Sequence, residues 1–313
     1  MTEDAALIGI DWGSSRLRAF RISVDGQLLE RRANDCGVNV IRDGNFAQAL
    51  AAIVDGWPSD LPIVMCGMVG SRHGWQETDY QPCPAGAGDL ARALCPIKAG
   101  RDAVWIIGGV CSHESVGGGL RSEIRVPDVM RGEETQMVGV ASGGGESLIV
   151  APGTHSKWAV MRDGRIEGFR TYMTGEIYAL LTTHSTLARL MDPAQVREID
   201  EATFLDGVQL GLEEPALLHT LFSVRTHALF GRRPVAQLSS FLSGILIGSE
   251  VGAERQRVAM TAAAVTVIAG SQLAHLYSIA LAAVGCGNVQ QIDSDVAVVR
   301  GLWRIWGLRG SAE

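Results

Sequence analysis

The feature that most constrains this chain is a pattern that occurs twice. Near the N-terminus an apolar run, Ala6 to Ile10, ends in the small polar turn Asp11-Trp12-Gly13-Ser14-Ser15. A second strand-like stretch follows (Leu17, Ala19, Phe20, Ile22), and Val24-Asp25-Gly26-Gln27 turns the chain back. Asp-Gly between hydrophobic runs is a strong hairpin signal. Roughly 140 residues later, after the Gly-rich break Ser142 to Glu146, the same grammar returns. Ser147 to Ala151 is a strand, Pro152-Gly153-Thr154-His155-Ser156 a turn and Trp158 to Met161 a strand. Arg162-Asp163-Gly164-Arg165 is a hairpin turn and Ile166 to Phe169 another strand. Two such copies, each mixed with helical segments, predict a duplicated α/β domain. The 313 residues suffice for two domains, and 47% hydrophobic against 19% charged residues can fill a core without disulfides or structural metal.

Elsewhere, residues 45–54 read as an amphipathic helix, and Pro62 to Cys66 and Val104 to Ile107 as buried strands. After Tyr172 the chain turns helical, over Ile177 to Met191, Ala202 to His219 and Leu238 to Glu250. Thr261 to Ala269 is strand-like, Ser271 to Ala283 helical, and Asp295 to Ile305 a terminal helix. Val258 to Ile292 carries no Asp, Glu, Lys or Arg and is long enough to span a bilayer. It is built of small residues, holds Gln272, His275 and Asn288, and breaks at Gly270-Ser271, so we read a buried strand and helix, with no membrane. A net charge of −7 argues against nucleic acid as the main partner. The six cysteines form no CxxC pair or zinc spacing, and Glu3 and Asp4 open the chain without a secretory signal; reduced thiols and a cytoplasmic location are expected.

The chemistry gathers at a few segments. Gly13, Ser14 and Ser15 follow a buried strand, where backbone N–H groups can approach a phosphate, and Asp11 at the strand end can hold Mg²⁺ through water. An ordinary hairpin turn would look the same. Gly153-Thr154-His155-Ser156-Lys157 repeats the design. Arg131-Gly132-Glu133-Glu134-Thr135-Gln136 reads as a helix N-terminus with two carboxylates in its first turn, either dipole-complementary capping or a general base. Ala269-Gly270-Ser271 joins a strand to a helix, and Ser71-Arg72-His73 lies on a Gly loop after a strand, where Arg72 could pair with a carboxylate. Neither GxGxxG nor GxxxxGK[ST] occurs.

These segments together resemble the 2-dehydro-3-deoxygalactonokinase family, within the superfamily of sugar kinases, hexokinases and actin-like ATPases. The matching stretches are Ile10 to Ser14, Gly67 to Ser71, Val129 to Gln136, Pro152 to His155, Phe169 to Thr171, Thr174 to Glu176, Phe241 to Gly244 and Ala269 to Ser271, in order along nearly the whole chain. The resemblance implies two ribonuclease H-like (actin-like ATPase) domains with an interdomain cleft. Residues 1–143 plus 295–313 would bind substrate and phosphate, and 144–294 the nucleotide, with hinges near Gly143-Gly144-Gly145 and Asp293 to Asp295. It implies ATP- and Mg²⁺-dependent phosphorylation of the C6 hydroxyl of 2-dehydro-3-deoxy-D-galactonate. Asp11 would serve the metal; Gly13, Ser14, Ser15, Gly153, Thr154 and His155 the phosphates; Ala269, Gly270 and Ser271 the adenosine; Trp12, Ser71 and Arg72 the acceptor. Relatives place an Asp before Thr as base; here Glu134-Thr135 stands there, with Glu133 adjacent. A kinase for another sugar acid or sugar, or a non-catalytic actin-like nucleotide-binding protein, are the alternatives. The expected partners are the sugar acid and ATP, and a homodimer is left open.

Overall fold

Residues 5–100, 103–116, 124–141, 144–191, 199–258 and 264–310 are described in the computed structural model. The Gly143 hinge and the Thr261 start of the expected strand lie outside them. The chain divides into two units. One comprises Met1–Glu146, Ala159–Phe169 and Asp293–Glu313, the other Ser147–Trp158 and Arg170–Ile292.

The first repeat forms β1 (Ala5–Trp12), β2 (Leu17–Ser23) and β3 (Leu28–Asn34), successive antiparallel neighbours. Helix α1 (Phe46–Ile53) leads into β4 (Ile63–Gly67), which pairs in parallel with β1. Then come β5 (Tyr80–Pro82), β6 (Ala85–Gly86), α2 (Ala87–Arg92), β7 (Cys95–Pro96), β8 (Val104–Ile106), β9 (Gly109–Val116), β10 (Ile124–Met130) and α3 (Glu133–Val140). The main sheet has the order β3-β2-β1-β4-β8-β7, and β10-β9-β5 form a small one. Strand β4 is buried throughout, and so is β1 from Leu7 onward, as central strands covered on both faces must be. The β9–β10 ribbon has no counterpart in the sequence reading.

The second repeat forms β11 (Glu146–Ala151), β12 (Ser156–Arg162) and β13 (Arg165–Tyr172). Asp163 and Gly164 both have positive φ, the signature of the two-residue hairpin that Asp-Gly predicts. Helices α4 (Thr174–Thr183), α5 (Glu201–Glu213), α6 (Leu217–Leu229) and α7 (Leu238–Arg257) follow, then β14 (Ala264–Ile268), α8 (Ser271–Ala283), β15 (Val289–Ile292) and α9 (Ser294–Gly307). The sheet order is β15-β14-β11-β12-β13-β6. Read outward, β13-β12-β11-β14-β15 repeats β3-β2-β1-β4-β8, and β14 is parallel to β11 and to β15 as β4 is to β1 and to β8. The duplication is therefore topological as well as local.

Several boundaries move for identifiable reasons. The helix expected over Ala202 to His219 is two helices, because Pro215 cannot donate and holds Glu214 extended (ψ 103°). Helix α7 runs to Arg257, past Glu250, since nothing in the sequence stops it. Its stretch Val235–Arg257 is long and apolar enough to cross a membrane, but 67% of its apolar window is buried within the protein. Gly207 and Gly211 of α5 face Gly244 and Gly248 of α7 so closely that a Cβ at any of the four would strike backbone, and this seam uses the apolar face. The uncharged stretch from Val258 to Ile292 holds β14 and α8, as read.

Candidate active site

Three chain segments converge in the first unit. In the parallel β1–β4 register Asp11 lies opposite Cys66 and Trp12 opposite Gly67, so both strands end at one sheet edge. Gly67 has φ 91°, and a Cβ there would lie 2.8 Å from the Trp12 carbonyl oxygen. Gly132, the residue that opens α3, has φ 116°, and its Cβ would sit 3.2 Å from the Gly67 Cα. Two glycines thus let α3 begin against the end of β4.

The first turn of α3 carries the carboxylate pair. Glu134 is fully buried. Its Oε2 accepts the Gly132 N–H at 2.6 Å, and its Oε1 accepts the Thr135 hydroxyl at 3.0 Å. Burial, reinforced by the charge of Glu133, pushes its carboxyl up to about 7. Glu133 is half-buried, and its Oε2 accepts the Arg131 N–H at 3.2 Å. Burial raises the Cys66 thiol, and the charges of Asp11 and Glu134 raise it further; all three groups share one neighbourhood.

Asp11 is buried, and its Oδ2 accepts from the Arg18 guanidinium. The same guanidinium donates to Asp295 Oδ1 at 2.6 Å, at the start of α9. Burial raises the Asp11 carboxyl above its usual range even though Arg18 opposes this. In the adjoining turn, Val38 N–H donates to the Gly13 carbonyl and Asn39 N–H to the Ser14 carbonyl, both at 3.0 Å. The loop carbonyls are thereby tied back, while Ser15 stays exposed. Ser71 is buried with no hydrogen-bond partner for its hydroxyl among the described residues, and Arg72 and His73 are exposed. Trp12 is a core residue: its indole N–H donates to the Cys36 carbonyl at 2.9 Å, and its ring packs on Phe46 and Trp75.

The second unit holds a cavity of about 690 Å³ lined by Gly153, Thr154, Thr174, Gly175, Ser243, Gln272 and Tyr277, among others. Gly153, Thr154 and His155 are exposed at the β11–β12 turn. A Cβ on Gly175 would strike the Gly153 carbonyl, so α4 starts in direct backbone contact with this turn. Glu176 N–H donates to the Thr154 carbonyl at 2.9 Å, and Glu176 Oε2 lies 2.6 Å from His155 Nε2. Ala269 follows β14 and is buried, Gly270 precedes α8, and Ser271 opens it exposed. Gln272 and Tyr277 place the α8 face on the cavity. The β11–β12 turn and α8 from Gln272 onward thus line one cavity, while Ala269, Gly270 and Ser271 lie just before that stretch and do not line it.

Sequence reasoning missed three residues. Arg18 is visible only once the hairpin register sets it opposite Asp11. Arg131 was read only as part of the α3 start. It is buried, donates to the Thr78 carbonyl at 2.8 Å and lies over Tyr80, 4.3 Å from the ring centroid. Glu250 had a signal: with Glu254 it forms an i, i+4 acidic pair that follows a helical run without any charge from Leu238 to Ser249.

The model of the family "2-keto-3-deoxy-galactonokinase" matches residues 11–305. The chain belongs to this family. The 2-dehydro-3-deoxygalactonokinase of Escherichia coli (strain K12) is 38% identical to it over 300 residues, 95% of this chain and 96% of that one. A crystal structure from Sinorhizobium meliloti, provisionally assigned the same activity, superposes with a TM-score of 0.82 at 34% identity, covering 96% of this chain and 95% of the other. The activator of 2-hydroxyisocaproyl-CoA dehydratase from Clostridium difficile, solved with ADPNP, shares only the fold with this galactonokinase family member, at a TM-score of 0.54 and 11% identity over 97% of the chain. The expected actin-like ATPase fold with a sheet in each half is thereby established.

Proposed function

We propose that this chain is an ATP-dependent kinase that phosphorylates the C6 hydroxyl of 2-dehydro-3-deoxy-D-galactonate to the 6-phosphate, in galactonate breakdown in the cytoplasm. The observation that carries the chemistry is the Glu133–Glu134 pair at the α3 N-terminus, one member held near pH 7, beside the Asp11 strand end. A base poised near the working pH takes a hydroxyl proton most effectively. As the proton passes to the carboxylate, the C6 oxygen attacks the γ-phosphorus, the bond to the β-phosphate oxygen breaks, and ADP leaves.

In this reading residues 1–143 plus 295–313 serve the acceptor, and 144–294 the nucleotide. The cavity of the second unit takes ATP, with Gly153, Thr154 and His155 at its phosphates and Ala269, Gly270 and Ser271 at its adenosine. Gly13, Ser14 and Ser15 face the transferred phosphate. Ser71 and Arg72 meet the acceptor; Trp12, expected there, supports the loop from the core. Mg²⁺ would neutralise phosphate charge, held through Asp11. Among the described residues no cluster of three or more His, Cys, Asp or Glu could hold a metal. That suits Mg²⁺, which keeps several waters and needs only one or two protein carboxylates beside its phosphates. Asp11 Oδ2 is on Arg18, which leaves Oδ1 for this role.

Glu134 is the base in this reading. Its complete burial favours a second assignment, in which half-buried Glu133 takes the proton and Glu134 sets its charge. The test of the function is ADP release with MgATP across 2-dehydro-3-deoxygalactonate, its gluconate epimer, galactonate and plain hexoses. Turnover on the first alone is expected. Turnover on another member would keep the kinase and discard the acceptor, and silence with ATP bound would favour a non-enzyme.

A further inference from the structure

One buried carboxylate in the second unit lies outside everything assigned above. Glu250 is 3% exposed on α7, and among the described residues its hydrogen-bond partners include no cation. It is held instead by four neutral donors. Its Oε1 accepts the Ser156 hydroxyl at 2.6 Å and the Trp158 indole N–H at 2.5 Å; its Oε2 accepts the Tyr277 hydroxyl at 2.9 Å and the Thr174 hydroxyl. The donors come from three elements. Ser156 and Trp158 open β12 directly after the Gly153-Thr154-His155 turn, Thr174 opens α4 and Tyr277 lies on α8. Thr174 and Tyr277 line the cavity described above, and the turn that precedes Ser156 lines it through Gly153 and Thr154. Glu250 itself does not line it. One turn on, buried Glu254 accepts the Tyr172 hydroxyl at 2.7 Å and Arg257 Nε at 3.0 Å, anchoring the strand that leads into α4.

A buried charge is costly unless fully hydrogen-bonded, and a hydrophobic residue could have filled this space more cheaply. What an apolar side chain could not do is fix the rotation of three hydroxyls and one indole at once. We propose that Glu250 is the positioning residue of the nucleotide site: it locks the Gly153-Thr154-His155 turn, Thr174 and Tyr277 into one arrangement around the cavity without touching the nucleotide. The inference rests on the reading that this cavity takes ATP.

The test compares wild type, Glu250→Ala, Glu250→Gln, Ser156→Ala and Ser243→Trp by ADP titration calorimetry, by KM for ATP and for the acceptor, and by circular dichroism. Truncating Glu250 takes the shared acceptor from four donors, three of them buried, and leaves only the 3.3 Å contact of the Tyr277 hydroxyl with Ser156 Oγ among them, so ADP affinity should fall about 10- to 100-fold, and KM for ATP should rise to match. The acceptor KM should stay within about twofold. Glu250→Gln keeps an oxygen for Trp158, the one donor that cannot also accept, and the facing hydroxyls can rotate to accept from its amide; most of the affinity should return. A folded Glu250→Ala enzyme with wild-type ADP affinity, or one with acceptor and ATP KM raised equally, would overturn the proposal. If Glu250→Ala does not fold, Ser156→Ala decides: its hydroxyl does not line the cavity, and unchanged ADP binding there would also overturn it. Ser243→Trp fills the cavity and should abolish ADP binding. If it binds ADP normally, the nucleotide site is elsewhere and the reading falls with the inference; if it fails while Glu250→Ala binds normally, the inference alone falls.

Discussion

The carboxylate of Asp11 and the guanidinium of Arg18 face each other across the β1–β2 hairpin, and the same guanidinium reaches Asp295 at the start of α9. A residue that the sequence marks as a metal ligand is thus also the inner half of an ion pair joining the two ends of the first unit's chain. Removing Arg18 leaves Asp11 buried with its charge uncompensated. Arg18→Ala should lower the unfolding free energy by about 2–4 kcal/mol in urea titrations. A double-mutant cycle with Asp11→Asn should return a coupling well above the ~0.5 kcal/mol scatter of independent sites. An additive cycle would show that the pair contributes little.

The carboxyl of Glu134 titrates near pH 7 in the folded chain against an ordinary value of 4.5. The folded state therefore holds the proton more tightly than the unfolded one. This contribution to stability is complete below about pH 4.5 and is lost as pH rises through about 7. Glu134→Gln should remove that slope, becoming more stable than wild type above pH 7 by on the order of 1–3 kcal/mol. If Glu134 is the base, wild-type kcat/KM should rise through about pH 7, and Glu134→Gln should lose roughly 100- to 10,000-fold in kcat.

Glu133 raises the Glu134 carboxyl through its charge. Glu133→Gln should therefore move the acidic limb of the rate profile to lower pH while activity persists. Loss of activity in Glu133→Gln with turnover retained in Glu134→Gln would transfer the role of base to Glu133.

Gly175 has no room for a side chain because its Cβ would meet the Gly153 carbonyl. Gly175→Ala must push α4 away from the Gly153-Thr154 turn. Overpacking of this kind costs about 1–3 kcal/mol, and ATP KM should rise with little change for the acceptor. Equal ATP KM values for the two proteins would remove the turn from the nucleotide site.

Arg72 is exposed beside Ser71, whose hydroxyl has no partner among the described residues. An arginine–carboxylate contact adds charge-assisted hydrogen bonds, so Arg72→Ala should raise the acceptor KM about 10- to 100-fold and leave ATP KM alone. Unchanged constants would shift the carboxylate contact elsewhere.

Much of the fold is legible in the residues. Hairpin chemistry at Asp25-Gly26 and Asp163-Gly164 and the apolar runs before Asp11 and Pro152 marked the repeat, because turn geometry and strand burial are local properties. The β9–β10 ribbon and the break at Pro215 were not read: the first has weak alternation, and the second interrupts a strong helical pattern at one residue. Among site residues, the carboxylates of α3 announce themselves by their place in a first turn. Trp12 ends β1 beside the Gly13-Ser14-Ser15 turn, and only the packing of its ring with Phe46 and Trp75 shows it to be a core residue.

By itself the sequence determined the duplicated strand grammar, the small-residue turns and the family, all of which depend on residues close together in the chain or on their order along it. Only the tertiary structure decided that Arg18 is spent on Asp11 and Asp295, that Glu134 is fully buried with its carboxyl raised while Glu133 stays half-buried, and that Glu250 gathers Ser156, Trp158, Thr174 and Tyr277. Those facts depend on desolvation and on partners up to 277 positions apart (Arg18 and Asp295), and no local pattern encodes how much water a side chain keeps once the chain has closed around it.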